Sequence, residues 1–113
     1  MKFANKNKID VVPQGGNTSL CGAATPDKNG KSIIISLEKM NNVRSFNKAS
    51  QSITVESGII LSQIHKIVEK ENLFFPLSLG AKGSCMIGGN LSSNAGGILR
   101  VFAVAINMIS ERS

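Results

Sequence analysis

Tryptophan and tyrosine are absent from this 113-residue chain, which leaves five Phe as its only aromatic residues besides one His. Single-stranded nucleic acid is gripped largely by stacking bases on aromatic rings, so scattered Phe side chains argue against an RNA or DNA binder. Cysteine and histidine are nearly as scarce. Cys21 and Cys85 are too far apart for a CxxC motif and too few for a disulfide framework, and with the single His65 they cannot complete a four-ligand zinc site. That usage predicts reduced thiols in a reducing compartment and no bound metal. Long apolar runs are missing too: no h-region follows the N-terminal lysines, and the stretches 33–35 and 101–109 fall short of the roughly 20 residues that span a bilayer. The expectation is a chain with no membrane span. Without secretion, the glycosylation-like triplets at Asn17 and Asn90 have no chemistry behind them.

What is present is globular in character. Hydrophobic residues make up 42% and charged residues 18% of the chain, a composition that supports one small domain with one modest core. The net charge of +6 is spread from Lys2 to Lys82, and the densest group is Lys2, Lys6 and Lys8. No run resembles a polybasic anchor, so the lysines read as a solvated surface, with an anionic cofactor as the main functional use of the charge.

Short β-rich runs alternate with glycine-rich loops, without repeat or low-complexity linker. Ile9 to Val12 reads as a strand stopped by Pro13, and Ser32 to Ser36 as a second strand. Val43 to Asn47 and Ser52 to Glu56 read as a hairpin joined by 48–51. One helix is clear, Leu61 to Glu71, where Leu61, Ile64, Ile67 and Val68 fall on one face. His65 flanks that stripe and reads as a packing residue.

The chemistry lies in two loops. Pro13-Gln14-Gly15-Gly16-Asn17-Thr18-Ser19-Leu20-Cys21-Gly22 follows a strand directly, where several backbone N–H groups can converge on an anion. Gly15 and Gly16, without Cβ, can take positive φ and let phosphate oxygens approach, and Asn17 and Thr18 can donate from side chains. An ordinary turn is the alternative. The second loop, Leu79 to Gly97, holds six glycines in nineteen residues, interleaved with Ser, Asn and small apolar residues. Such a stretch fills a core poorly and suits a backbone laid against a flat ligand.

Better-known phosphate loops fail on spacing. Asn29-Gly30-Lys31-Ser32 ends like a Walker A motif, but Thr25 holds the required upstream glycine position and Ser32 opens a strand. No GxGxxG occurs, so a Rossmann site is unsupported. Gly80-Ala81-Lys82-Gly83 matches the GxxG of KH domains, a short pattern with two fixed positions.

Together the two loops resemble the PCMH-type FAD-binding domain of the D-2-hydroxyglutarate and D-lactate dehydrogenase family of flavoproteins. Val12 to Thr18 is similar to that family's pyrophosphate loop. Pro76 to Cys85, with Ile87-Gly88-Gly89-Asn90 and Asn94-Ala95-Gly96-Gly97, is similar to its flavin-contacting segment. The resemblance implies an α+β fold, here a partial domain with mixed β-sheet pairing. It implies FAD held by Gln14, Gly15, Gly16, Asn17, Thr18 and Ser19 at the pyrophosphate, and by Pro76, Gly80, Ala81, Ser84, Cys85, Gly88, Gly89 and Asn94 on the flavin side. Neither loop contains His, so attachment is expected to be non-covalent. Members oxidise a D-2-hydroxy acid by hydride transfer to the flavin; the setting implied is cytoplasmic in a bacterium and mitochondrial in a eukaryote.

Departures from the family pattern carry their own expectations. Ser19 stands where the family usually has Gly. The resemblance stops abruptly after Gly97, which divides the chain into a partial FAD-binding domain at 1–97 and a divergent apolar tail at 98–113 that is expected not to belong to the fold. The family's substrate-binding part has no counterpart here, so no catalytic residue is assigned. The leading expectation is an FAD-binding fragment of a D-2-hydroxy acid dehydrogenase; the alternatives are a non-catalytic remnant of a decayed gene and a small basic RNA-binding module.

Overall fold

The computed structural model describes residues 1–18 and 22–95. Helix α1 spans Lys2–Asn7, buries Ala4, and closes on Lys8, whose left-handed backbone (φ 52°) lets the Ile9 N–H return to the Ala4 carbonyl at 2.9 Å. Strand β1, Asp10–Gln14, then pairs in parallel with β2, Ser32–Ser36, Val12 lying opposite Ile34. Pro13 does not stop β1, contrary to expectation. The Gln14 carbonyl accepts from the Leu37 N–H at 2.9 Å and so faces the β2 side. Alternation along the strand then turns Pro13 to the outer edge of β1, where its missing donor breaks no ladder bond.

Strands β3, Val43–Asn47, and β4, Ser52–Val55, form the antiparallel hairpin expected across the polar stretch 48–51, with a register shift between Val43 and Ser45. Gln51 takes positive φ in the 48–51 turn, and the Asn47 side chain accepts from the Ser50 N–H at 3.0 Å. Parallel and antiparallel pairing therefore both occur, in two separate two-stranded sheets.

Helix α2, Leu61–Glu69, ends two residues before the predicted Glu71. It buries Leu61, Ile64 and Val68 of the predicted stripe, with Ile67 half-buried beside them. These pack with Ile53 and Val55 of β4, and with Ile59, Phe75, Cys85 and Ile87, as one core. Each large aliphatic side chain buried there contributes about 1.5–3 kcal/mol. His65 lies at the helix edge as expected: its Nε2 donates to the Leu77 carbonyl at 2.9 Å, and its ring sits 5.9 Å from that of Phe75. It thereby fastens the irregular stretch 73–79 to α2.

A third helix, α3, spans Ile87–Ser92 inside the stretch that sequence reads as loop. Gly88 and Gly89 disfavour a helix by about 1 kcal/mol each. Burial of Ile87 and Asn90 and bonds to Ser57 and Ile59 outside the helix offset that cost. Among the described residues no helix is long and apolar enough to cross a membrane.

Candidate cofactor-binding site

Four loop segments meet through glycines that leave no room for a side chain. A Cβ on Gly58 would lie 1.8 Å from the Leu37 carbonyl oxygen, one on Gly88 2.8 Å from that of Ser57, and one on Gly16 2.1 Å from that of Ser84. These contacts run in series from the 37–40 loop to the 56–59 turn, on to the 84–88 segment, and on to the first glycine loop. Backbone hydrogen bonds accompany them. Gly58 N–H donates to Met40 O at 2.7 Å, Gly88 N–H to Ser57 O at 2.8 Å, and Ile87 N–H to Ile59 O at 3.0 Å. The first turn of α2 is closed by the second loop, because the Leu61 and Ser62 N–H groups donate to the Cys85 and Lys82 carbonyls at 3.1 and 3.0 Å.

The two glycine loops thereby enclose one cavity of about 570 Å³. Its walls take Pro13 and Gly15 to Thr18 from the first loop, and Leu79 to Ala81, Cys85, Met86, Gly88 and Gly89 from the second. Gly80 and Gly89 face open space, with no atom beyond their own local backbone within 4 Å of where a Cβ would stand. No charged side chain lines the cavity among the described residues. Small uncharged walls with two bare glycines suit a flat ring, and the absence of carboxylates suits an anionic diphosphate, so the residues present fit FAD.

The predicted site residues divide on this geometry. Gly15, Gly16, Asn17, Thr18, Gly80, Ala81, Cys85, Gly88 and Gly89 come together on the cavity wall. Gln14 is not on it; its side-chain Nε2 donates to the Ala24 carbonyl at 3.1 Å and holds the wall residues Ala23 and Ala24. Pro76 and Asn94 do not line it, and Ser84 touches Gly16 through its carbonyl instead. Ser19 and Cys21 lie outside the described residues, as do Gly96, Gly97 and the tail 98–113.

Neither Gly15 nor Gly16 takes the positive φ open to it: among the described residues of this loop the left-handed ones are Asn17, at φ 51°, and Gly22, at φ 69°. Both glycines serve packing instead, since a Cβ on Gly15 would meet the Met86 Cβ at 3.3 Å. Sequence reasoning also missed Leu37, Ser57, Asn90, Ser92 and Ser93, all on the wall. Asn90 and the serines stood within the flagged stretch; Leu37 and Ser57 carried no local signal. Cys85 is buried, and its Sγ accepts from Asn90 Nδ2 at 3.5 Å.

Hydrogen bonding from the Asn42 backbone N–H, with help from Arg44 and the Asn42 side chain, holds the Glu56 carboxyl below the ordinary value of 4.5, against the opposing effect of burial.

Comparison with known proteins bears on this geometry. The family described as an FAD binding domain matches residues 1–111. Over 98 residues the chain is 43% identical to the probable mitochondrial D-2-hydroxyglutarate dehydrogenase of Oryza sativa subsp. indica, covering 87% of this chain and 17% of that protein. It is 40% identical over 98 residues to the D-2-hydroxyglutarate dehydrogenase of Xanthomonas citri pv. viticola, covering 87% of this chain and 20% of that one. A solved structure of alkyldihydroxyacetonephosphate synthase shares the fold at a TM-score of 0.73, with 20% identity, over 85% of this chain and 19% of that one. The chain thus spans a fifth or less of the length of these curated relatives.

Proposed function

The chain belongs to the FAD binding domain family, and on that premise we propose that it forms the FAD cradle of a D-2-hydroxy acid dehydrogenase. The observation that carries this reading is the meeting of both glycine loops on one uncharged cavity. Asn17 and Thr18, exposed at its mouth, would hold the pyrophosphate together with backbone N–H groups of the first loop. Gly80, Ala81, Cys85 and Gly89 would lie against the flavin ring. When bound, FAD supplies a two-electron acceptor for hydride removed from a CH–OH group. The residues of this chain bind and orient it and shield it from water.

Attachment is non-covalent in this proposal. No His stands in either loop, and the Cys85 thiol is buried against Asn90. FAD added to the purified chain should bind with quenched flavin fluorescence, and acid precipitation should release all of it to the supernatant. A chain that leaves flavin fluorescence unchanged at millimolar FAD is not a cradle, and flavin retained in the pellet overturns non-covalent attachment.

A further inference from the structure

Glu56 follows β4 and is 8% exposed, an unusual depth for a carboxylate. Its Oε2 accepts from the Asn42 backbone N–H and from Asn42 Nδ2, both at 2.9 Å, and its Oε1 accepts from Arg44 Nη2. The Glu56 N–H in turn donates to the Asn42 carbonyl at 2.9 Å. One side chain therefore fastens the 37–42 loop to the 56–59 turn. The clamp continues in backbone bonds, with Met40 N–H donating to Leu37 O at 2.9 Å and Gly58 N–H to Met40 O at 2.7 Å. Ser57 O then receives the Gly88 N–H, which passes the placement of the turn to the start of α3. Leu37 and Ser57, one from each clamped segment, both line the cavity.

Resting on the assignment of that cavity to FAD, we propose that Glu56 is a positioning residue for the cofactor site, holding through Ser57 and the 37–42 loop the wall against which FAD packs. Among the described residues Arg44 of β3 is the charged group bonded to it, and Asn42 the neutral one. Glu56→Gln keeps the shape and removes the charge. In the 113-residue chain this change should raise the dissociation constant for FAD about tenfold, the scale of one weakened buried charge-assisted bond. The affinity of the parent should fall as pH drops below about 4.5, while that of the variant changes less. Amide exchange should quicken about tenfold at Gly58 and Gly88 and less than twofold at the core residues Ile53 and Ile64. Asn42→Ala, which spares the ion pair, should give the same pattern at about threefold and decides the matter if Glu56→Gln fails to fold. Affinity within twofold of the parent with an unchanged pH profile overturns the proposal, as does uniform loss of protection across the chain. If the parent itself binds no FAD, the cradle assignment fails separately; the exchange pattern still tests the clamp, and unchanged exchange at Gly58 and Gly88 overturns it.

Discussion

At the scale of single residues, the glycines of the site fall into two kinds that sequence alone does not separate. Gly16 carries no side chain because the Ser84 carbonyl occupies the space, whereas Gly89 faces open cavity. Opposite outcomes follow. Gly16→Val should push the 84–85 segment away, lowering both thermal stability and FAD affinity, the latter by about tenfold or more. Gly89→Ala should stabilise the FAD-free chain by about 0.5–1 kcal/mol, because alanine suits the interior of α3 better than glycine, yet weaken FAD binding by intruding on the cavity. Thermal melts with and without FAD measure both. If Gly89→Ala stabilises the chain and binds FAD as tightly as the parent, Gly89 does not touch the cofactor. The two loops were legible as a ligand site because glycine clustered with Ser and Asn is a poor core; the division of labour within them was not, since it depends on which carbonyl lies opposite.

At the scale of elements, strands and the amphipathic helix were legible and the small helices were not. Ser32–Ser36 and Val43–Asn47 match the predicted bounds, the first because its β-branched run carries its own signal and the second because the polar turn 48–51 sets off its end. Helix α3 was hidden because its Gly-Gly pair opposes helix, and its order comes from the 57–59 segment, nearly thirty residues upstream. Helix α1, with the sequence KFANKN, has no apolar stripe to read. The Glu56 clamp joins elements in the same non-local way and makes a pH prediction. Its carboxyl titrates lower when folded than the ordinary 4.5, so the stabilisation it gives is present above that value and lost as pH falls through the folded value. The melting temperature should therefore decline on acidification below about pH 4.5, and less steeply in Glu56→Gln. Equal slopes in parent and variant would assign the acid sensitivity elsewhere.

At the scale of the whole molecule, β1 and β2 form a parallel sheet of two strands with Ile33 at 37% and Ile34 at 46% exposure on opposite faces. Parallel sheets are normally covered on both sides, and two strands alone are marginal. The described residues also offer no general base at the cavity: its wall holds no charged side chain, and His65 is occupied with Leu77. The chain by itself should therefore show no dye-linked oxidation of D-2-hydroxyglutarate or D-lactate, with FAD added. Substrate-dependent turnover abolished by His65→Ala would place catalysis within it. The serial contacts Leu37 to Gly58, Ser57 to Gly88 and Ser84 to Gly16 bear on how such a molecule can vary. Every missense change of a glycine codon adds a side chain, so at these three positions random mutation has no neutral neighbour to step through. A saturation library should be empty at Gly16, Gly58 and Gly88 and graded by side-chain size at Gly80 and Gly89. The cavity can change its lining by drift, but its frame only by coordinated replacement.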